Sequence, residues 1–268
     1  MIRVSSAEKL ATQAVNALKW EARFSPKPGL VTKISNGSHT DMNIDLFLRS
    51  ADSLYETFLQ IAVVSEHAPI SRDLREQIGA IGRKGEQKMF ETTHGINTHK
   101  GAIWALGVLV SVTSSANTTN TTDIFEKAGQ LAQIPDRFVN AHAKPTYVSK
   151  AKQQYHVNGA REEAADGFPN VEKALNIIRT SKQIDQDQWL KVLCTLYANV
   201  DDTNVIHRSN LKVLRQFQNE ARSAYEESDT LNSLAFRDLQ KTVDHYQISP
   251  GGCADLFAAT YFLHNFDL

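Results

Sequence analysis

Four polar residues, Asn97, Thr98, His99 and Lys100, stand between Gly95 and Gly101 where an apolar segment, Ala102 to Val112, begins. A core helix does not need such a cluster. A helix N-terminus presents unpaired N–H groups and the positive end of its dipole, an arrangement that suits anions. Polar junctions of this kind recur at Ser25-Pro26-Lys27-Pro28-Gly29, Asn36-Gly37-Ser38-His39-Thr40-Asp41 and Gly159-Ala160-Arg161-Glu162-Glu163. Ser249-Pro250-Gly251-Gly252-Cys253-Ala254-Asp255 reads equally as a helix cap with a hinge or as a phosphate site. Asp201-Asp202, ahead of Thr203 and Asn204, is expected at the C-terminal end of a helix, where acids oppose the dipole. That placement points to a compensating cation or to a role as a base. His39 with Asp41 reads either as a helix-cap pair or as a functional pair.

The elements that must hold these residues are helices. Ser5-Ser6-Ala7-Glu8 offers a capping box, followed by Leu10, Ala14, Ala17 and Leu18 at helical spacing. Ile44, Phe47, Leu48, Ala51, Leu54, Tyr55, Phe58 and Ile61 trace one apolar stripe over about five turns. Ser71 caps a helix that carries Leu74, Ile78, Ile81, Gly82, Gly85 and Met89 on one face, small enough for close approach of a neighbour or ligand. Further stripes run from Ile124 to Ala132, Trp189 to Tyr197, Leu211 to Tyr225, Leu231 to Tyr246 and Ala254 to Phe266. The polar run Thr113 to Thr122 reads as a surface loop. Period-two alternation is almost absent, so the expectation is an all-α chain forming one multi-helix domain over residues 1–268. Its site is expected at helix N-termini and helix–helix junctions.

Composition narrows the function classes. Apolar residues at 41% and charged residues at 22% fit a soluble globular protein. A formal net charge of −1 supplies no basic field for nucleic acid. The most apolar stretch is about half the roughly 20 residues of a membrane-spanning helix. The opening MIRVSSAEKLATQAV lacks a secretion-signal core, and Cys194 and Cys253 show no CxxC spacing, so a cytoplasmic protein is expected. HExxH, GxxxxGK[ST], GxSxG and GxGxxG are all absent, which removes zinc-peptidase, P-loop, hydrolase and Rossmann readings. His67, His142, His156, His245 and His264 share no cluster.

Taken in order, SPKPGLV, NGSHTDM, GINTHKGAIWALG, GAREEAADGFP, DTNVIHR and SPGGCADL resemble the triphosphoribosyl-dephospho-CoA synthase family over residues 25 to 258. Four departures stand out: NGSH for the common CGAH, GAREEA for GARGEA, IHRSN where relatives often carry SRGG, and SPGGC for SPGGS. None removes an acid or base from the motif set.

The resemblance implies attack of the 2′-hydroxyl of 3′-dephospho-CoA on C1′ of the ATP ribose, with adenine leaving. The product would be the prosthetic-group precursor for the acyl-carrier subunit of citrate lyase or malonate decarboxylase, passed on to a separate holo-acyl-carrier-protein transferase. The P-loop's absence fits a reaction that transfers no γ-phosphoryl group. On this reading Lys100 with Thr98 binds phosphate, Asn97 and His99 contact ribose or phosphate oxygens, and Lys27 and Arg161 are further phosphate ligands. Glu162, Asn204, Arg208, Ser249, Gly251 and Gly252 complete the substrate contacts. Asp202, Asp41, His39 and Glu86 are the catalytic candidates, and Asp202, Asp255 and Glu86 the candidate ligands of Mg²⁺ brought with ATP. Cys253, in the first turn of the last helix, is expected to be non-nucleophilic, with a thiol acidified by the dipole. A metal-assisted N-glycosidase acting on a nucleotide or ADP-ribosyl bond is the alternative, and a homo-oligomer is compatible with either.

Overall fold

Ser5 starts the first helix as its residue type dictates: its hydroxyl accepts from the Glu8 N–H at 3.2 Å, while the Glu8 carboxylate accepts from the Ser5 N–H at 2.7 Å. The computed structural model describes residues 5–115, 118, 120–139, 147–182 and 184–266. Among these, fourteen helices and no strand are found, so the chain is all-α. In order they are α1 (Ser6–Arg23), α2 (Ile44–Ser53), α3 (Tyr55–Ser65), α4 (Arg72–Thr92), α5 (Lys100–Ser114), α6 (Thr121–Gln133) and α7 (Tyr147–Tyr155). Then follow α8 (Ala160–Ala165), α9 (Pro169–Thr180), α10 (Gln186–Asn199), α11 (Thr203–Arg208), α12 (Leu211–Glu226), α13 (Leu234–Tyr246) and α14 (Gly251–His264).

Two expectations change. The five-turn stripe from Ile44 is two helices, divided at Leu54, whose φ of −92° and ψ of −4° interrupt the ladder without turning its apolar face outward. The GAREEA and DTNVIHR junctions are themselves short helices, α8 and α11. Within Thr113–Thr122, residues 116, 117 and 119 lie outside the described residues, as does His142.

The buried apolar residues form one connected core. Helices α5 and α14 run through it, each apolar on nearly every side and packed against one another. Helix α1 packs on α3 and α14, α3 on α4 and α5, and α10 on α9, α12 and α14. Gly85 explains the small-residue face of α4: a Cβ there would lie 2.6 Å from Thr57 Cγ2 of α3. Trp20 stacks on Tyr261 at 3.9 Å and meets Trp189 at 4.6 Å, fastening α1, α14 and α10 together. Each fully buried aromatic, such as Phe58 or Phe257, contributes about 1.5–3 kcal/mol by burial alone. This framework brings the N-termini of α5 and α14 to the same place.

Candidate active site

A cavity of about 1060 Å³ opens where those two N-termini meet α4, α8, α11 and the loops after α1 and α13. It is at the upper end of the roughly 300–1,000 Å³ typical of small-molecule sites. Every catalytic, substrate-binding and metal candidate named from the sequence lines it, whereas Cys253 does not.

The floor is acidic and buried. Asp202 lies between α10 and α11 as the N-cap of α11, and one carboxylate oxygen accepts from the Asn204 N–H at 2.8 Å and its Nδ2 at 3.0 Å. The other oxygen accepts from the Cys253 N–H, in the first turn of α14, at 2.9 Å. The expectation of an acid opposing a helix C-terminus is therefore corrected. The chain turns after α10, and the carboxylate faces two helix N-termini, where the dipole favours it. A Cβ on Gly252 would come 3.1 Å from Asp202 Oδ2, and one on Gly251 3.2 Å from Asn204 Nδ2, so both glycines admit the approach.

One turn into α14, Asp255 accepts from the Ala102 N–H in the first turn of α5. A side chain at Gly101 would collide with its Oδ2. Burial, then the charges of Glu21 and Asp202, hold the Asp255 carboxyl well above the usual carboxylate range. Asp202 is also raised, by burial against the opposing pull of its N–H donors.

Lys27 does not reach out as a phosphate ligand. Its ammonium is buried, paired with the Glu21 carboxylate and hydrogen-bonded to the Glu21 carbonyl oxygen at 2.6 Å. Burial lowers its pKa and raises that of Glu21. Beside it, His99 is buried with Nδ1 2.9 Å from Ser50 Oγ, which lies 2.6 Å from Thr98 Oγ1. Its Nε2 has no partner. Burial, then the Lys27 charge, pushes the His99 pKa down to about 3, so the ring is neutral at neutral pH.

At one side of the mouth, His39 sets its Nε2 2.8 Å from Ser249 Oγ and its Nδ1 3.1 Å from Arg208 Nη2. Arginine only donates, so Nδ1 is the acceptor and Nε2–H donates to Ser249. Arg208 also donates to the Ser38 and Gln247 carbonyls at 2.8 and 3.2 Å, which ties the NGSHTDM loop to the one before α14. The cap reading of His39 with Asp41 is corrected, because Asn43 caps α2 by accepting from Leu46. Asp41 Oδ1 is 3.7 Å from His39 Nδ1 at the surface.

At the other side, Asn97 Oδ1 accepts from the Lys100 N–H at 3.1 Å and so helps start α5. Lys100 Nζ pairs with Glu86 Oε2 at 2.9 Å. Glu86 thus belongs to the mouth and not to the Asp202–Asp255 floor, and among the described residues no three His, Cys, Asp or Glu side chains are grouped as metal ligands. Glu162 accepts from the Gly159 N–H at 3.0 Å as part of the α8 cap. Arg161 lies over the Trp104 ring at 5.9 Å.

Comparison with known proteins decides the family. The CitG family model, ATP:dephospho-CoA triphosphoribosyl transferase, matches residues 7–268. The chain belongs to this family. A relative from Azotobacter vinelandii, named as a 2-(5''-triphosphoribosyl)-3'-dephosphocoenzyme-A synthase, is 39% identical over 97% of this chain and 92% of its own. One of the same name from Pseudomonas fluorescens (strain Pf0-1) is 38% identical with the same coverage. The fold is similar to a crystal structure titled for triphosphoribosyl-dephospho-CoA synthase from Archaeoglobus fulgidus, with a TM-score of 0.55 and 18% identity over 81% of this chain and 97% of that one. The protein is accordingly an enzyme of the transferase class.

Within this transferase-family chain, several cavity residues escaped the sequence reading. Glu21 is the plainest: it lies three residues after Leu18 and four after Ala17, so an acid stands on the buried stripe of α1. Ser50 was hidden in an amphipathic helix, and Arg75, Arg83 and Asp136 carry no local signal. The thiol expectation is corrected too. Cys253 is fully buried, and burial with the neighbouring Asp202 charge raises its pKa well above the ordinary thiol value, so the dipole does not acidify it. His67, His156, His245 and His264 stay off the cavity.

Proposed function

We propose that this enzyme transfers the triphosphoribosyl group of ATP to the 2′-hydroxyl of 3′-dephospho-CoA and releases adenine. The observation that carries the reading is the charge balance of the floor. Buried Glu21 and Asp202 and half-buried Asp255 lie within electrostatic reach, and Lys27 is the one cation among them. Such a floor lacks positive charge, and the ribosyl C1′ develops it as the C–N bond breaks. The O2′–C1′ bond forms as the C1′–N9 bond breaks, so the hydroxyl proton and the protonation of adenine balance. Asp202, raised toward neutrality and anchored by three N–H donors, is the base that takes the hydroxyl proton. Neutral His99, with a free Nε2 beside the same floor, orients ribose or adenine by a single hydrogen bond.

A magnesium ion accompanying ATP would neutralise triphosphate charge. Asp202 and Asp255 fit as its one or two carboxylate partners, since burial, then the charges of Glu21 and Asp202, disfavour an uncompensated Asp255 carboxylate, and phosphate and water oxygens would complete the shell. The product is proposed to serve the acyl-carrier subunit of citrate lyase or malonate decarboxylase through a separate transferase. A cytoplasmic setting agrees with two buried, unpaired cysteines. Among the described residues, no helix is long and apolar enough to cross a membrane.

Incubation with ATP and Mg²⁺, with and without dephospho-CoA, tests the reading. Adenine release that requires dephospho-CoA, with a product heavier by one triphosphoribosyl unit, is expected. Release without the acceptor would instead mean N-glycoside hydrolysis, and no release would contradict catalysis of this bond.

A further inference from the structure

We propose that Arg75, Arg83 and Arg161, the first and last of them over the Trp104 ring, form a polyphosphate subsite in the same cavity. The arrangement begins in α4. Arg75 and Arg83 are eight residues apart, about two turns along one face. Gly79 lies midway, and a side chain there would collide with Asp136 Oδ2. Asp136 is therefore admitted between the two arginines, 2.7 Å from Arg83 Nη1 and 3.5 Å from Arg75 Nη1. Its carboxylate is completely buried and holds both side chains in place.

Arg75 and Arg83 thus share one carboxylate, and Arg161 adds a third guanidinium nearby. Glu76 compensates Arg75 only from a distance, because Arg137 engages its carboxylate at 2.6 and 2.9 Å. Lys100 is matched by Glu86, while the acids of α8 turn to neutral donors, Glu162 to the Gly159 N–H and Glu163 to the Asn170 N–H and side-chain amide. Arg161 and Arg83 each bear electrostatically on Arg75, like charge against like.

A second observation points to a ligand. Arg75 lines the cavity with its side chain 3% exposed, yet its Nε donor is buried without a partner. A buried guanidinium donor left unpaired is costly, and an anion with several acceptor oxygens would satisfy it. Trp104 completes the site. Its Nε1 donates to the Ala160 carbonyl at 3.1 Å, which fixes the ring against α8, and the guanidinium of Arg75 lies 4.8 Å from the ring.

The identity of the phosphate chain rests on the triphosphoribosyl-transfer reading: the triphosphate of ATP or the diphosphate of dephospho-CoA. The test uses inorganic tripolyphosphate, titrated calorimetrically into wild type and into R83Q/R161Q. Arg161 is exposed and the Arg83 side chain is 39% exposed, so helical circular dichroism should be unchanged. The double variant should bind tripolyphosphate about thirtyfold more weakly or worse, as expected for two lost charge-assisted contacts. R161Q alone should show about a tenfold loss. Parallel titrations with ATP and dephospho-CoA identify the occupant as the substrate whose affinity falls with tripolyphosphate's. Wild type that does not bind tripolyphosphate, or a double variant within threefold of it, overturns the subsite. A preserved tripolyphosphate contrast in an enzyme that never releases adenine would sink the transferase reading and leave the subsite standing.

Discussion

The cavity has two ends of opposite character. At the floor, Glu21, Asp202 and Asp255 outnumber Lys27; Glu21, Lys27 and Asp202 are buried and Asp255 is half-buried. At the far end, Arg75, Arg83 and Arg161 outnumber Asp136, and two of the three arginines reach toward solvent. A reacting sugar needs low dielectric and nearby carboxylates, whereas a polyphosphate needs convergent donors it can reach from water. The difference separates chemistry from binding. Substitutions in the floor should act on turnover or on folding, and those at the basic end on affinity.

The largest expected effect breaks the floor's one ion pair. Lys27→Met leaves Glu21 buried without its cation and should cost about 3–5 kcal/mol of stability by denaturant unfolding. A double variant, Glu21→Leu with Lys27→Met, should recover most of it. A Lys27→Met protein as stable as wild type would show that the pair is not the cation balance of the floor.

Asp255→Asn should sharpen the comparison by moving stability and function in opposite directions. The amide keeps an acceptor for the Ala102 N–H and removes a charge that burial, Glu21 and Asp202 all disfavour. At neutral pH the variant should gain about 1 kcal/mol or more while losing turnover. The sign follows from linkage. A carboxyl whose folded pKa is raised binds more protons folded than unfolded, so stability falls as pH rises from the ordinary carboxylate range toward the folded pKa. The stability of Asp255→Asn should therefore decline less steeply over that window, and an unchanged slope would contradict the assignment.

Lys100→Ala should weaken ATP binding about three- to tenfold, and dephospho-CoA binding less, because Glu86 already takes part of the lysine's charge. Equal losses for both ligands would place Lys100 between the two sites. Smallest of all is Cys253→Ser. The hydroxyl can still donate to the Leu196 carbonyl now 3.7 Å from Sγ, so stability should change by about 1 kcal/mol and turnover by less than about threefold. Native Cys253 should resist iodoacetamide with or without nucleotide, and rapid labelling would contradict its burial.

Much of this architecture was legible because it is local. Apolar periodicity marks the helices, Ser5 and Ser71 mark their starts, and the polar junctions mark the cavity. What escaped was set by distant partners. Asp202 caps α11 locally through Asn204, but the donor that joins it to a second helix N-terminus comes from Cys253, 51 residues later. Arg75 and Arg83 look like the solvent face of α4 until Asp136, 61 and 53 residues on, arrives between them. Lys27 reads as a phosphate ligand because its loop is rigid and basic, and Glu21, in the last turn of α1, claims it instead.

The central claim, that the floor performs the chemistry, rests most heavily on Asp202. Its direct test is the turnover of Asp202→Asn at saturating ATP and dephospho-CoA, read as adenine release, with helical content and both affinities measured on the same preparation. The amide oxygen can still cap α11, although one N–H of the α14 terminus loses its acceptor, so a folded protein of somewhat lower stability is expected. Turnover should fall by about a thousandfold or more while ATP and dephospho-CoA still bind, the signature of an interaction made only in the transition state. Wild-type rates of adenine release from this variant would contradict the account.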